Sequence, residues 1–412
     1  VALFGFRAEL LSEGFPRKIH EWAAAHGLES SGHAMGQYHP QPAFLGGDHI
    51  LFYRHNDIPM IDSIHYYGHG RPGFKLTSSA ADSYDRPLTA VEIYGNYRTF
   101  DAAMLYRSGM ELFARGANLF LPHGMWYDPQ KVRIKPLISH FDEQVGPVLA
   151  EYNDWVGRTC LLLQGGRRVA DIGVLYPVAA MQAHARLDAV VDQPKVPGNV
   201  HPGLYVPPKT DLNELSDCLT GELRRDFTFL HPDILNDRCL VNGPILRLNN
   251  TTNYQDYRVV ILPSARVVHA SNVTKIRAFC EAGGKVIVST GTKTLQDQLF
   301  RRDLPTVRDA LGAPTSIALL KGRANYVCHY HLERARQEGR FLSRAEAGHI
   351  LAIARFAKAT STGDKAECAA VPEDSGAWMA ATSTRDNCLG QECPNARECF
   401  VMAARREAQA AD

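Results

Sequence analysis

The sequence predicts an α/β protein whose last part is mainly helical, on three observations. Short apolar or β-branched runs such as AVEIYG, ANLFLP and YRVVILP alternate with helix-length stretches through the first 285 residues, the pattern of parallel strands joined by helices. A glycine turn and a buried-strand run, GGKVIVST from Gly283, end that alternation. Beyond it the cysteines change character: Cys160, Cys218, Cys239 and Cys280 are scattered singly, whereas Cys328, Cys368, Cys388, Cys393 and Cys399 crowd the end. Histidine runs the other way, with 14 of 17 ahead of residue 285.

The 412 residues suggest two to three domains. With 45% hydrophobic and 22% charged residues the composition is that of a globular chain. A net charge of +1 makes no general electrostatic case for nucleic acid or membrane. No apolar run approaches the ~20 residues of a membrane span. Val1 in place of Met suggests a truncated start, so no leader can be judged.

Taken in order, Ala8 to His26 is helical, broken by Pro16 and ended by Gly27. LESSGHAM is a short strand candidate; MIDSIHYY, FKLTSSAADS and TAVEIYG continue the repeat. A helix is expected over Phe100 to Ala114, a strand in ANLFLPHGMWYD and a helix over Asp142 to Leu163. Polar and aromatic residues gather where these strands end: His33 and Gln37, Asp62 and His65, Glu92 and Tyr94, then His123, Trp126 and Asp128. In a (β/α)8 barrel such ends face one mouth. Aromatics beside carboxylates suit a sugar, and glycosidic cleavage needs two carboxyl groups.

VADIGVLYPVA, DFTFLHPDIL, YRVVILPSA and GGKVIVS, with helices over Asp211 to Asp226 and Ser271 to Ala282, read as a small doubly wound unit. No phosphate-binding glycine fingerprint follows its first strand. Gln193 to Thr210 reads as a surface loop. Past Thr290, TKTLQDQLFRRDLPTVRDAL is helical, IALLKGRANYVC is a strand leading into a basic turn, and Ser343 to Ala359 is a helix.

Cys388, Cys393 and Cys399 are separated by four and five residues, and Cys328 lies 60 residues earlier. Four thiolates are what a [4Fe–4S] cluster requires, and the spacing is not the paired C-x2-C of common zinc modules. Zinc, free thiols and disulfides are the other readings of the cysteines alone.

AVEIYGNY, MELFARGANLFLPHGMWYD and NDWVGRTCLLLQGGRRVADIGVLYP resemble the later part of an α-L-rhamnosidase-like glycoside hydrolase barrel. The resemblance implies a catalytic role for Glu92, the other reading being a structural carboxylate. Asp62, His65, Tyr94, His123 and Trp126, at the strand ends, are candidates to line a carbohydrate site, with hydrogen-bonded structural roles the alternative for Asp62, His65 and His123. Only about four strand–helix units precede Leu163, half of a barrel, so a second carboxylate would have to come from Asp57, Asp62 or Asp82. The following unit resembles the flavodoxin-like domain found after the barrel in such families.

STGTKTLQDQLFRRDLP, LLKGRANYVCHYHLERA and NCLGQECPNARECFVMAARREAQAAD closely resemble DinG-type helicases, relatives of the XPD family of DNA helicases. That resemblance implies a [4Fe–4S] cluster on Cys328, Cys388, Cys393 and Cys399, with Cys368 a bystander. It also implies contact with single-stranded DNA at Thr292 and Lys293, with Lys321 and Arg323 as phosphate contacts. Arg334, Arg336 and Arg340 could add to these or form a solvated basic face, and Tyr326 could stack a base or pack in the core. No G-x-x-x-x-G-K-[ST] loop stands ahead of STGTKT, so no complete ATP site is expected.

The expected domains are therefore a partial (β/α)8 barrel over 1–168, a flavodoxin-like domain over 169–290 and a mainly helical iron–sulfur domain over 291–412. The two resemblances meet at GGKVIVST, so the chain reads as a join of two partial proteins. Thiolate ligands favour a cytoplasmic location, with no membrane partner.

Overall fold

The computed structural model describes residues 1–34, 47–63, 71–95, 100–184, 212–263, 267–289, 293–311, 315–341, 343–372 and 374–411. They divide into two units, Val1–Gly291 and Thr292–Asp412.

The first unit opens with α1 (Ala2–Gly14) and α2 (Pro16–Ala25). Pro16 separates them and starts the second, where its missing N–H removes no helical bond. Strand β1 (Ser31–Gly32) follows, then α3 (His49–Phe52) and β2 (Ile58–Ser63). Next come α4 (Arg71–Ser83), β3 (Ala90–Ile93), α5 (Ala102–Ala114), β4 (Leu119–Pro122) and α6 (Gly146–Leu162). FKLTSSAADS therefore lies within a helix. The cap of α5 is Asp101, whose carboxylate accepts the Met104 N–H at 2.7 Å. The strands pair in parallel in the order β1-β2-β3-β4. On one face Ile61, Val91 and Ile93 are buried with Phe74, Leu105, Leu112 and Tyr152. Asp62, Glu92 and Leu121 stand in register with one another on the other face.

A second sheet is built from β5 (Ile172–Leu175), β6 (Thr228–Leu230), β10 (Val259–Leu262) and β11 (Lys285–Val288). Helices α7 (Val178–His184), α8 (Leu212–Asp217), α9 (Pro232–Asp237) and α10 (Ala270–Glu281) connect it. All its pairs are parallel, in the order β11-β10-β5-β6. In chain order that is 2-1-3-4, an order of doubly wound sheets. Val174, Phe229 and Ile261 pack into one core and Leu175, Leu230 and Val260 into another. Both faces of β5, β6 and β10 are covered, which is why these strands read as continuous apolar runs. Strand β11, expected as a buried strand, is instead an exposed edge, with Ile287 51% and Val288 44% exposed. The sequence reading passed over an antiparallel ladder of β7 (Cys239–Asn242), β8 (Ile245–Leu248) and β9 (Gln255–Tyr257). Its signal is the two-residue turn Gly243–Pro244, where Gly243 has φ +55°.

Helix α4 serves both sheets: Phe74 belongs to the core beneath the first, Leu76 and Ala80 to a core of the second. Its polar side chains are buried too. Lys75 pairs with Asp226, and Arg168 bonds both Asp226 and Asp82. Ser79 Oγ accepts the Phe229 N–H at 2.9 Å. Burial and the Arg168 charge bring Lys75 down to about 8, despite Asp226. Burial of Asp82 pushes its carboxyl up.

Another buried pair joins His231 Nε2 to Asp48 Oδ2 at 2.7 Å. Burial disfavours the charged imidazole, but Asp48 outweighs it and holds His231 above its ordinary value of 6.5. Burial likewise disfavours the Asp48 carboxylate, but His231 and the Leu51 N–H bring it below its ordinary value.

In the second unit α11 (Lys293–Gln298) and α12 (Leu304–Leu311) are joined by a π-helical turn, Leu299–Asp303. Then come α13 (His329–Glu338), α14 (Arg344–Ala359), α15 (Gly376–Ala380) and α16 (Phe400–Ala410). Ser343 caps α14 through the Glu346 N–H at 3.1 Å. The core gathers Leu332, Ile350, Ile353, Val371 and Trp378. IALLKGRANYVC is not a strand: Tyr326 and Val327 make only isolated bridges, to Asp364 and Thr382. Side-chain bonds hold this segment in place of a ladder: Trp378 Nε1 donates to Ala324 O at 2.9 Å and Thr382 Oγ1 to Tyr326 O at 2.8 Å.

Two stability effects follow. His231 contributes stability that is complete below the unfolded value of 6.5 and lost as pH rises through its raised folded value. Asp48 contributes stability present above its ordinary value and lost on acidification. The first unit is expected to melt at lower temperature as pH rises from about 6. His231→Leu should flatten that fall and cost about 3 kcal/mol, since it leaves a buried carboxylate unpaired; circular dichroism melts across pH check both. Gly363 has φ +69°, and a Cβ there would overlap the Phe400 side chain. Gly363→Ala is expected to destabilise the second unit by about 1–3 kcal/mol in denaturant titration.

Candidate functional site

In the first unit, parallel pairing brings chemistry to one end of the first sheet. His33 follows β1, Asp62 lies in β2, Glu92 in β3, and His123 follows β4. One ligand atom each of His33, Asp62 and Glu92 lies within 4.8 Å of the others, with His33 Nε2 3.9 Å from Glu92 Oε2. Glu92 also lines an open cleft of about 520 Å³ with Met60, Leu121, His123 and Trp126. Burial and the Asp62 charge push the Glu92 carboxyl up, while His123 and His33 pull it down. A carboxyl group with raised pKa beside a second carboxylate can divide acid and base roles. One imidazole and two carboxylates can also hold a divalent cation. His123 Nδ1 and Trp126 Nε1 are buried without hydrogen-bond partners, and their rings meet edge to face at 6.0 Å.

Other expected members of this site lie elsewhere. Tyr94 does not line the cleft: it is fully buried and bonds the Tyr152 hydroxyl and Leu105 O. Asp57 precedes β2, at the opposite end of the strand from Asp62. There it accepts the Ser30 N–H at 2.8 Å and pairs with His20 Nδ1 at 2.9 Å. Asp82 is buried on α4 beside Arg168. Of the three acids proposed as partners for Glu92, only Asp62 stands beside it. His65 and Gln37 lie outside the described residues. The pairing of His33 with Glu92 was hidden because some sixty residues separate them; strand register brings them together.

In the second unit, Cys328, Cys388, Cys393 and Cys399 line one cavity of about 170 Å³ with Arg323, Tyr330, His331, Met402 and Arg405. Cys328 is the cap residue of α13 and Cys399 that of α16, where helix N-termini favour negative charge. Burial, with the neighbouring Cys393 and Cys399, holds the Cys328 thiol above its ordinary value against the N–H groups of His331 and Tyr330. Arg323 Nη1 donates to Cys388 Sγ at 2.9 Å, a contact the sequence does not signal. Four thiols around one cavity are a donor set that suits an iron–sulfur cluster and equally a zinc ion. Cys368 is buried in the helical core and does not line the cavity.

Lys321 does not present its charge to solvent: its side chain is 2% exposed and pairs with Asp297 and Asp364. Tyr326 is buried with Val401 and Ala404 rather than offered for stacking. Arg334 and Arg336 pair along α13 with Glu338 and Glu333, as on a solvated face. Thr292 lies outside the described residues, as does the side chain of Lys293.

No family model matches the chain. Over 128 residues, 31% of this chain, it is 48% identical to the ATP-dependent DNA helicase YoaA of Escherichia coli. The stretch spans 20% of that protein. Over 130 residues it is 45% identical to YoaA of Haemophilus influenzae, again spanning 20% of the relative. The ATP-dependent helicase DinG of Mycobacterium tuberculosis is 34% identical over 155 residues, 23% of its length. The chain thus contains a DinG/YoaA-like region and spans about a fifth of these relatives. A rhamnosidase structure from Novosphingobium sp. PP1Y aligns over 75% of this chain and 28% of its own, with 18% identity and a TM-score of 0.48; at that level the likeness decides neither fold nor activity. No helix among the described residues is long and apolar enough to cross a membrane.

Proposed function

We propose that the second unit holds a [4Fe–4S] cluster on Cys328, Cys388, Cys393 and Cys399 and is the cluster-bearing, single-stranded-DNA-binding section of a DinG- or YoaA-type helicase. The observation that carries this reading is the convergence of these four thiols on one cavity. The similarity of the region to such helicases supports it. When bound, the cluster supplies a rigid centre and one-electron chemistry. Around it, Cys328 and Cys399 start two helices and Arg323 donates to the Cys388 sulfur. Arg323 and Arg405 line the same cavity and supply positive charge for a phosphate backbone. The chain has no G-x-x-x-x-G-K-[ST] run, so the proposal is DNA binding rather than ATP-driven unwinding. A cytoplasmic location is part of the same proposal, because thiolate ligands persist where thiols stay reduced.

The geometry at Glu92 favours a second reading for the first unit, hydrolysis of O-glycosyl bonds. The nearest oxygens of Asp62 and Glu92 lie within 4.8 Å, closer to the ~5–5.5 Å carboxyl spacing of retaining glycosidases than to the ~6.5–9.5 Å of inverting ones. In this reading the four consecutive parallel strands are part of a (β/α)8 barrel over 1–168, followed by a flavodoxin-like domain over 169–290 and the cluster domain over 291–412. The chain is then a join of two partial proteins near GGKVIVST. The change in sequence character there supports this division, and sequencing across the codons for Ala282 to Thr294 tests the join.

Purified anaerobically, the chain is expected to be brown, with about four irons per molecule. Cys388→Ser and Cys393→Ser should each lose most of the iron and colour, and Cys368→Ser should keep both. A colourless wild-type preparation with no bound iron would overturn the cluster. For the first unit, aryl-glycoside cleavage should fall at least a hundredfold in Glu92→Gln; activity indifferent to that change would remove Glu92 from the chemistry.

A further inference from the structure

Lys321 Nζ lies 2.7 and 2.9 Å from the two Asp297 oxygens and 2.7 Å from Asp364 Oδ2. Asp297 belongs to α11, about one helical turn beyond Lys293 at its start. Asp364 bridges to Tyr326, two residues before Cys328. The Lys321 N–H donates to the Tyr326 hydroxyl at 2.9 Å, and the Val327 N–H to Gly363 O at 2.9 Å. One ammonium therefore ties the helix after the STGTKT segment to the strip of chain that delivers Cys328.

The arrangement is costly to undo. Removing the ammonium would leave the buried Asp364 carboxylate facing the partly exposed Asp297 with no cation between them. Burial disfavours the Lys321 charge, but its bonds to Asp297 and Asp364 outweigh that and hold it above the ordinary lysine value. Arg301 and Glu367 also cross between the two segments, at 3.2 Å, but that pair is exposed and holds weakly.

We infer that Lys321 is a positioning residue, fixing α11 to the cysteine-bearing core through Asp297 and Asp364 rather than contacting nucleic acid itself. The inference rests on the cluster-and-DNA reading of this unit. A direct phosphate contact and a positioning role have different signatures. Removing a phosphate contact lowers the slope of log affinity against log salt by about one. Removing a positioning lysine leaves that slope intact, because the groups that meet the phosphates are still present but less well held.

The test uses the full chain, cluster loaded, with Lys321→Met, Asp297→Asn and the double variant. Asp297→Asn retains the Lys321–Asp364 bond, so it still reports on the tie to α11 if Lys321→Met does not fold. Three readouts are taken: amide hydrogen exchange, cluster absorbance, and binding of a fluorescein-labelled oligothymidine across salt. Exchange is expected to rise in residues 293–311 of each variant while cluster absorbance stays at the wild-type level. Oligothymidine affinity should fall about tenfold with the salt slope unchanged, and the double variant should be no worse than Lys321→Met. Lys321→Arg should restore much of the affinity. Wild-type exchange over 293–311 in both single variants, or a salt slope reduced by about one in Lys321→Met alone, would overturn the inference. Failure of the wild-type chain to bind the oligonucleotide would instead sink the DNA reading, leaving exchange to decide the role of Lys321.

Discussion

Helix α4 lies between two layers, and a helix in that position needs its polar groups satisfied from within the protein. Lys75, Asp226, Arg168 and Asp82 do this with two charges of each sign, and they join α4 to the entry of β6 and to the segment before β5. Because the same helix contributes Phe74 to one core and Leu76 and Ala80 to another, the first sheet cannot shift against the second without breaking these pairs. The His33–Asp62–Glu92 cluster depends on that rigidity, since it is held by the register of strands that α4 supports from behind.

The two candidate sites solve the same assembly problem by different means. At the first, backbone pairing sets the positions: consecutive parallel strands lay equivalent residues side by side, and the side chains come together as a consequence. At the second, among the described residues, no sheet performs that task. The cysteines are delivered by helix starts and by the turn around Gly390–Glu392, held by single bonds such as Cys328 N–H to Ala381 O at 2.8 Å.

This difference also explains what the sequence made legible. Parallel strands such as VVIL and the IGVL run were readable because both faces are buried and the apolar signal is continuous. The four cysteines that line one cavity stand out in the sequence because thiols are few and their spacing is unusual. Glu92 beside Asp62 followed from strand ends, but Tyr94 did not fit the same rule: it has φ +81°, and its ring enters the core. The pairing of Lys321 is not legible in the sequence, because a lysine within a basic run looks like a phosphate contact and the acids it pairs with lie 24 and 43 residues away. The same distance hides the donation from Arg323 to Cys388, 65 residues on.

Cys328 and Cys399 stand at the starts of helices on either side of the α14 core. Both line one cavity, so forming it joins points 71 residues apart in the chain. The lining of the cavity is complete only when Cys399 is in place, so α16 is the element that closes it.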